Sequence, residues 1–127
     1  MIDQVIDSSA ILAILREERR ASNAFDLAYS GTMSAVIYSE IVSKCGMKGP
    51  DMNKAIGLIK ALEINIEPLG ADTAHQAGAL KLNKCFWPLS LADCICIALA
   101  IEKSATLVTA DHAWLELNLP CPVEVIR

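Results

Sequence analysis

The stretch Ser90–Lys103 constrains the fold more than any other part of the chain. It carries the unbroken apolar run Cys94–Ile101, followed directly by Glu102 and Lys103. A helix built from it has no polar face to give to water, so it must be covered on nearly every side. The run is far too short to cross a membrane, so the covering layers must come from the rest of the chain. At 127 residues with 54% hydrophobic and 20% charged, the chain has the material for one domain and is no disordered tail. A chain of this mass buries roughly two-thirds of its unfolded surface on folding.

The flanking sequence alternates short apolar runs with helical periodicity. Val5-Ile6 reads as a strand leading into Asp7-Ser8-Ser9, residues that cap helices. Ile11, Leu12 and Leu15 follow at helical spacing, then the charged stretch Arg16–Arg20. A helix through Ala24–Tyr29 stops at Gly31, and Thr32–Ala35 is a second strand. Ser34 caps a helix carrying Ile37, Ile41 and Cys45, which Gly46, Gly49 and Pro50 break. Asp51 opens a helix over Ala55, Ile56, Ile59 and Leu62, before an extended run Ile64–Pro68. Asp72–Asn83 is helical, Phe86-Trp87-Pro88 a loop, and Thr106–Thr109 a strand. Asp111–Leu117 is a short helix and Val123–Ile126 the last strand. This alternation predicts one α/β domain over residues 1–127, a parallel sheet flanked by helices. With right-handed crossovers, every strand C-terminus and helix N-terminus lie on one sheet edge, where ligands bind in open α/β folds.

Four carboxylates fall on that edge. Asp7 directly follows the first strand, and Asp111 lies just beyond the strand Thr106–Thr109. Asp93 is in the first turn of the apolar helix; Glu40 lies six residues past Ser34, roughly 9 Å along its helix, with a longer side chain to reach back. Acids gathered without matching bases repel one another, so some are protonated or cations lie among them. Oxygen donors without His or Cys favour Mg²⁺ or Mn²⁺, ions that polarise a phosphodiester and generate hydroxide. Each acid also has a plain structural reading. Asp7 and Asp111 suit N-caps, Ser90-Leu91-Ala92-Asp93 has the form of a capping box, and Glu40 can pair with Lys44. Asp51 and Asp72 read simply as caps.

Convergence of the four acids carries a resemblance. The chain resembles PIN-domain ribonucleases, specifically VapC-type toxins of toxin–antitoxin pairs. The matching residues are Val5-Ile6-Asp7-Ser8-Ser9-Ala10, Ser39-Glu40, Leu89-Ser90-Leu91-Ala92-Asp93 and Leu107-Val108-Thr109-Ala110-Asp111. The resemblance implies a five-stranded sheet of order 3-2-1-4-5, with Asp7 and Asp111 on neighbouring strands. It implies that Asp7, Glu40, Asp93 and Asp111 hold one or two Mg²⁺ or Mn²⁺ ions, with Asp7 and Asp93 as direct ligands and Asp111 acting through water. Ser8 and Thr109 are candidates for holding carboxylates or a water. It also implies an RNA substrate, a homodimer and a cognate antitoxin that projects a basic side chain toward the acids. Ile11, Leu12, Leu15 and Phe25 with Ile56, Ile59 and Leu62 are the candidate lining of an apolar groove for that antitoxin. Trp114 stands where many relatives carry Phe.

Net charge of −4 argues against nucleic acid only until the site acids are set aside; the remaining acidic and basic residues then balance. Arg16, Arg19, Arg20, Lys44, Lys48, Lys81 and Lys84 are candidates for phosphate contact. His75 and His112 are poor candidates for a general base. The five cysteines, at 45, 85, 94, 96 and 121, form no CxxC pair, which predicts reduced thiols. Met1-Ile2-Asp3-Gln4 lacks a basic n-region, so the expectation is a cytoplasmic protein without a membrane anchor.

A receiver-like phosphoacceptor is a competing reading, but it requires an acidic pair at the first strand and a lysine ending a late one. Here Asp3 is displaced and the last strand ends Val125-Ile126-Arg127. A haloacid-dehalogenase phosphatase requires Asp-x-Asp where this chain has Asp7-Ser8-Ser9. A non-catalytic PIN scaffold is a third reading, disfavoured by the presence of all four acids.

Overall fold

A computed structural model describes residues 3–16, 23–48 and 52–126, without the side chains of Met47 and Lys48. Arg19, Arg20, Gly49, Pro50, Asp51 and the Lys48 side chain, all singled out above, lie outside the described residues.

The five strands are β1 (Gln4–Ile6), β2 (Thr32–Ser34), β3 (Asn65–Glu67), β4 (Thr106–Thr109) and β5 (Val123–Val125). All pairings are parallel and the order is β3-β2-β1-β4-β5, as the resemblance implied. Val5 and Ile6 of β1 and Leu107 and Val108 of β4 are fully buried, which is why these central strands read as continuous apolar runs. Register aligns Val5 with Thr32 on one side and Ile6 with Val108 on the other. The ends of β1 and β4 are therefore level, and Asp7 N–H donates to Val108 C=O at 2.9 Å.

The helices are α1 (Ser8–Leu15), α2 (Ala24–Ala28), α3 (Ala35–Lys48), α4 (Met52–Ala61), α5 (Ala71–Leu80) and α6 (Leu91–Glu102), with 3₁₀ segments Lys84–Phe86 and His112–Leu117. The apolar helix is α6, buried continuously from Cys94 to Ala100. It packs on α5 and lies against β1, β2 and β4, while α1 packs against α2, α3 and α4. Among the described residues no helix is long and apolar enough to cross a membrane.

Several local expectations shift. Gly46 does not break α3, which runs on to Lys48; one glycine costs about 1 kcal/mol in a helix, too little to end one held by packing. Asp72 is not a cap: Gly70 takes that position and Asp72 sits in the first turn, favoured by the helix dipole. The segment after Asp111 is a 3₁₀ helix rather than an α-helix. Gly31 is required by close approach, since a Cβ there would lie 2.8 Å from Ile6 Cγ1, while Ser30 takes the left-handed φ of 60°. Of the predicted groove residues, Ile11, Leu12, Ile59 and Leu62 belong to the buried core; only Leu15, Ile56 and Phe25 retain exposure.

Candidate active site

Asp7 follows β1 at the N-cap position of α1 but makes no side-chain cap bond there. Its carboxylate turns inward and is 3% exposed. Oδ2 accepts from Ser9 Oγ at 2.6 Å and from Thr109 Oγ1 at 3.0 Å. Oδ1 is buried and has no hydrogen-bond partner among the described residues. Ser9 Oγ in turn accepts from Ala110 N–H at 2.9 Å, and Thr109 Oγ1 accepts from Asp111 N–H at 3.1 Å. Two hydroxyls thus tie the ends of β1 and β4 together around one oxygen of Asp7. The result is an electrostatically costly acid: burial, above all, pushes its pKa up from 3.8 to about 6. The Ser9 hydrogen bond opposes the rise, the negative charge of Asp93 adds to it, and Thr109 and the Ser8 backbone pull it down.

Glu40 comes from α3, and its Oε1 accepts from Ser8 Oγ at 2.5 Å. The same oxygen pairs with Lys44 one helical turn on, at 3.5 Å. Glu40 thus carries its helical ion pair and is also tied to Ser8 at the start of α1. Asp93 does cap α6. Ser90 N–H donates to its Oδ2 at 3.0 Å, and Asp93 N–H donates to Ser90 Oγ at 3.1 Å. The cap holds Asp93 where its charge reaches Asp7. Cys96, buried one turn further along α6, registers the cluster: burial first, then the charges of Asp7, Asp93 and Glu40, push its thiol well up.

The charges of Asp7, Asp93 and Glu40 thus all bear on Cys96, while Asp111 follows β4. Asp111 is exposed and caps the last 3₁₀ helix, its Oδ1 accepting from Ala113 N–H at 3.0 Å. Ser9, Ala110, Asp111 and His112 line an open depression of about 320 Å³ there. No three His, Cys, Asp or Glu side chains among the described residues are gathered closely enough to hold a metal ion as they stand. The donor chemistry nevertheless suits a hard divalent cation, and the partnerless Asp7 Oδ1 is the oxygen that lacks one.

Ser8 donates to Glu40 and Thr109 to Asp7, and Thr109 also makes a turn hydrogen bond with Asp111 N–H. Ser9 was not foreseen. In sequence it is a second hydroxyl after a cap, and only β1–β4 pairing brings it against Ala110, 101 positions away. Lys81 departs from its expected phosphate role: its ammonium donates to the carbonyls of Leu89 at 2.5 Å and Trp87 at 3.1 Å, closing the loop before α6. The cysteines are free, as predicted.

The model of the PIN domain family matches residues 5–118. The chain belongs to the PIN domain family. No curated protein matches it closely enough to count as a relative. Solved structures share its fold at low identity. A toxin–antitoxin complex from Klebsiella pneumoniae superposes with a TM-score of 0.76 at 18% identity, covering 98% of each chain. A DNA-bound VapBC from Salmonella typhimurium gives 0.73 at 15% identity over 100% of both chains. The sarcin–ricin-loop-cleaving toxin VapC20 from Mycobacterium tuberculosis gives 0.73 at 15% identity, over 92% of this chain and 96% of that one. The family and the 3-2-1-4-5 order also remove the receiver-like reading, whose sheet runs 2-1-3-4-5.

Proposed function

We propose that this PIN domain is a metal-dependent endoribonuclease, hydrolysing RNA phosphodiester bonds as the toxin of a VapBC-type pair. The observation that carries the reading is the buried Oδ1 of Asp7, without a hydrogen-bond partner among the described residues and under the charge of Asp93. A carboxylate left this way is destabilising unless a cation or a proton completes it. Asp7, Asp93 and Glu40 would hold Mg²⁺ or Mn²⁺, with Asp111 contributing through water. Such an ion, when bound, polarises the phosphodiester and lowers the pKa of an attacking water. The chain's own groups do the positioning: Ser9 and Thr109 occupy Asp7 Oδ2 and leave Oδ1 for the ion, and Ser8 holds Glu40 inward.

The likeness to toxin–antitoxin complexes supports a cognate antitoxin, and a homodimer in the cytoplasm completes the proposal. An antitoxin that places an Arg or Lys among these acids would inhibit by replacing the ion. Cleavage of structured RNA by the purified chain, present with Mg²⁺ or Mn²⁺ and lost with EDTA, tests the activity. A chain that binds the neighbouring gene's product but cleaves no RNA under either ion is instead a non-catalytic scaffold.

A further inference from the structure

The loop before α6 presents an aromatic ring to solvent. Trp87 is 60% exposed, whereas Trp114, the other tryptophan, is 2% exposed in the core. A loose loop would hide or average such a ring; this one is fixed from beneath. Lys81 Nζ binds the carbonyls of Trp87 and Leu89, and the preceding Phe86 is buried. Asn83 caps the 3₁₀ turn, its side chain accepting from Cys85 N–H at 3.0 Å. On the exposed side, Lys84 Nζ stands 6.0 Å from the Trp87 ring centroid. Two lysines thus converge on one indole, one holding its backbone and the other placing positive charge at its face.

The position of this ring matters. The loop ends at Ser90, whose capping box sets Asp93 in place. An apolar cleft of about 340 Å³ separates the loop from the 3₁₀ helix after Asp111; Cys85, Pro88, Leu89, Trp114 and Leu117 line it, with Glu116 the one acid. Along the chain, the loop wall runs on through Ser90 into the first turn of α6, which carries Asp93, and the 3₁₀ wall begins at its cap Asp111. The exposed indole and the adjacent cation match what single-stranded nucleic acid offers: a flat base beside a phosphate.

We propose that Trp87, with Lys84, is a stacking platform for an unpaired base of the RNA, flanking the phosphodiester held at the Asp7–Asp93 edge. The inference rests on the ribonuclease reading and assigns that site a recognition element. Lys81 is its positioning residue. A protein–protein interface could also use such a ring, but the lysine at its face favours an anionic strand.

The test is tryptophan emission of the full chain in EDTA, where no cleavage occurs, titrated with a single-stranded oligoadenylate. Trp114 lines the adjacent cleft, so the quenching that Trp87→Phe retains is its share, and the difference from wild type reports Trp87. Expected are saturable quenching by the oligoadenylate, much weaker quenching by an abasic strand of equal length, and binding measured by anisotropy that weakens about tenfold in Trp87→Ala and recovers in Trp87→Phe. Lys81→Met should keep the fold but lower affinity, since the ring loses its anchor. Binding unchanged in Trp87→Ala, or equal quenching by the abasic strand, overturns the platform. So does an emission shift driven by protein concentration alone with loss of a dimer in Trp87→Ala, which assigns the ring to a second copy. Cleavage by the wild-type chain is scored separately. If it cleaves while Trp87→Ala binds normally, the nuclease stands and the platform falls; if it cleaves nothing yet quenches as expected, the platform stands and the nuclease falls.

Discussion

Asp7 and Glu67 each leave one buried carboxylate oxygen without a hydrogen-bond partner among the described residues, and their surroundings explain why only one is a candidate site. Both directly follow or end a strand on the same edge of the sheet, Asp7 after β1 and Glu67 in β3. The other oxygen of Glu67 meets Lys103 at 3.0 Å, so its charge is balanced by the chain itself. Around Asp7 are two neutral hydroxyls and a second acid, and burial raises its pKa to about 6. An orphaned oxygen makes a candidate site only where the fold also withholds the counter-charge. Glu67 is finished by folding; Asp7 is left for something else to finish.

The strongest way to break the comparison is substitution at both acids. Asp7→Asn should remove metal-dependent RNA cleavage while leaving the melting temperature equal or higher, because an unfavourable buried charge is gone. Glu67→Gln should leave cleavage close to wild type. If Asp7→Asn cleaves normally in a gel assay, or Glu67→Gln abolishes cleavage, the contrast is wrong.

Next comes pH. The Asp7 carboxyl titrates near 3.8 when unfolded and near 6 when folded, so folding favours its protonated form. Its contribution is fully present below pH 4 and is lost as pH rises through about 6, in total roughly 3 kcal/mol. In EDTA, stability measured by denaturant unfolding should therefore fall between pH 4 and 7 in the wild type, and this component should vanish in Asp7→Asn. Mn²⁺ or Mg²⁺ should reverse the loss near neutrality, by about 2.7 kcal/mol at a hundredfold excess over Kd. The reversal should shrink in Glu40→Gln. A pH profile identical in wild type and Asp7→Asn would contradict the assignment.

The hydroxyls give a smaller effect. Ser9→Ala leaves Asp7 Oδ2 with only its Thr109 hydrogen bond and should lower metal affinity or cleavage about 10- to 100-fold without unfolding the chain. Isothermal titration with Mn²⁺ reads this directly, and unchanged affinity would reduce Ser9 to a β1–β4 fastener. Smallest of all is Lys103→Gln. The pair with Glu67 is part-exposed, so its loss should cost less than about 1 kcal/mol in thermal unfolding and nothing in cleavage.

Much of the site was legible because it is written locally. Asp7 follows an apolar pair, Asp93 closes a capping box with Ser90, and Asp111 caps the turn after β4; each is decided within a few residues. Glu40 was placed by counting rise along its helix, and Ser8 receives it. The sequence left both a core and a groove open for the apolar residues of α1 and α4, for a physical reason. Helical periodicity says which face of α1 and α4 is apolar but not what covers it, and here the two helices bury Ile11, Leu12, Ile59 and Leu62 in the core. Lys81 was misjudged for a similar reason, because a charge in sequence gives no hint that carbonyls will close around it.

The sequence by itself determined the layered α/β architecture, since an all-apolar α6 and runs such as Leu107-Val108 cannot be satisfied by any solvent-facing arrangement. It also placed Asp7, Asp93 and Asp111 on one sheet edge, because each lies at the end of its own element, whereas Glu40 lies within α3. Tertiary structure alone decided which of those acids lacks a counter-charge. That depends on Ser9 and Thr109 meeting Asp7 across the β1–β4 seam, on Asp93 lying beside it, and on Lys103 reaching Glu67 instead. Charge balance is set by distances between elements remote in the chain, and only the folded packing sets those distances.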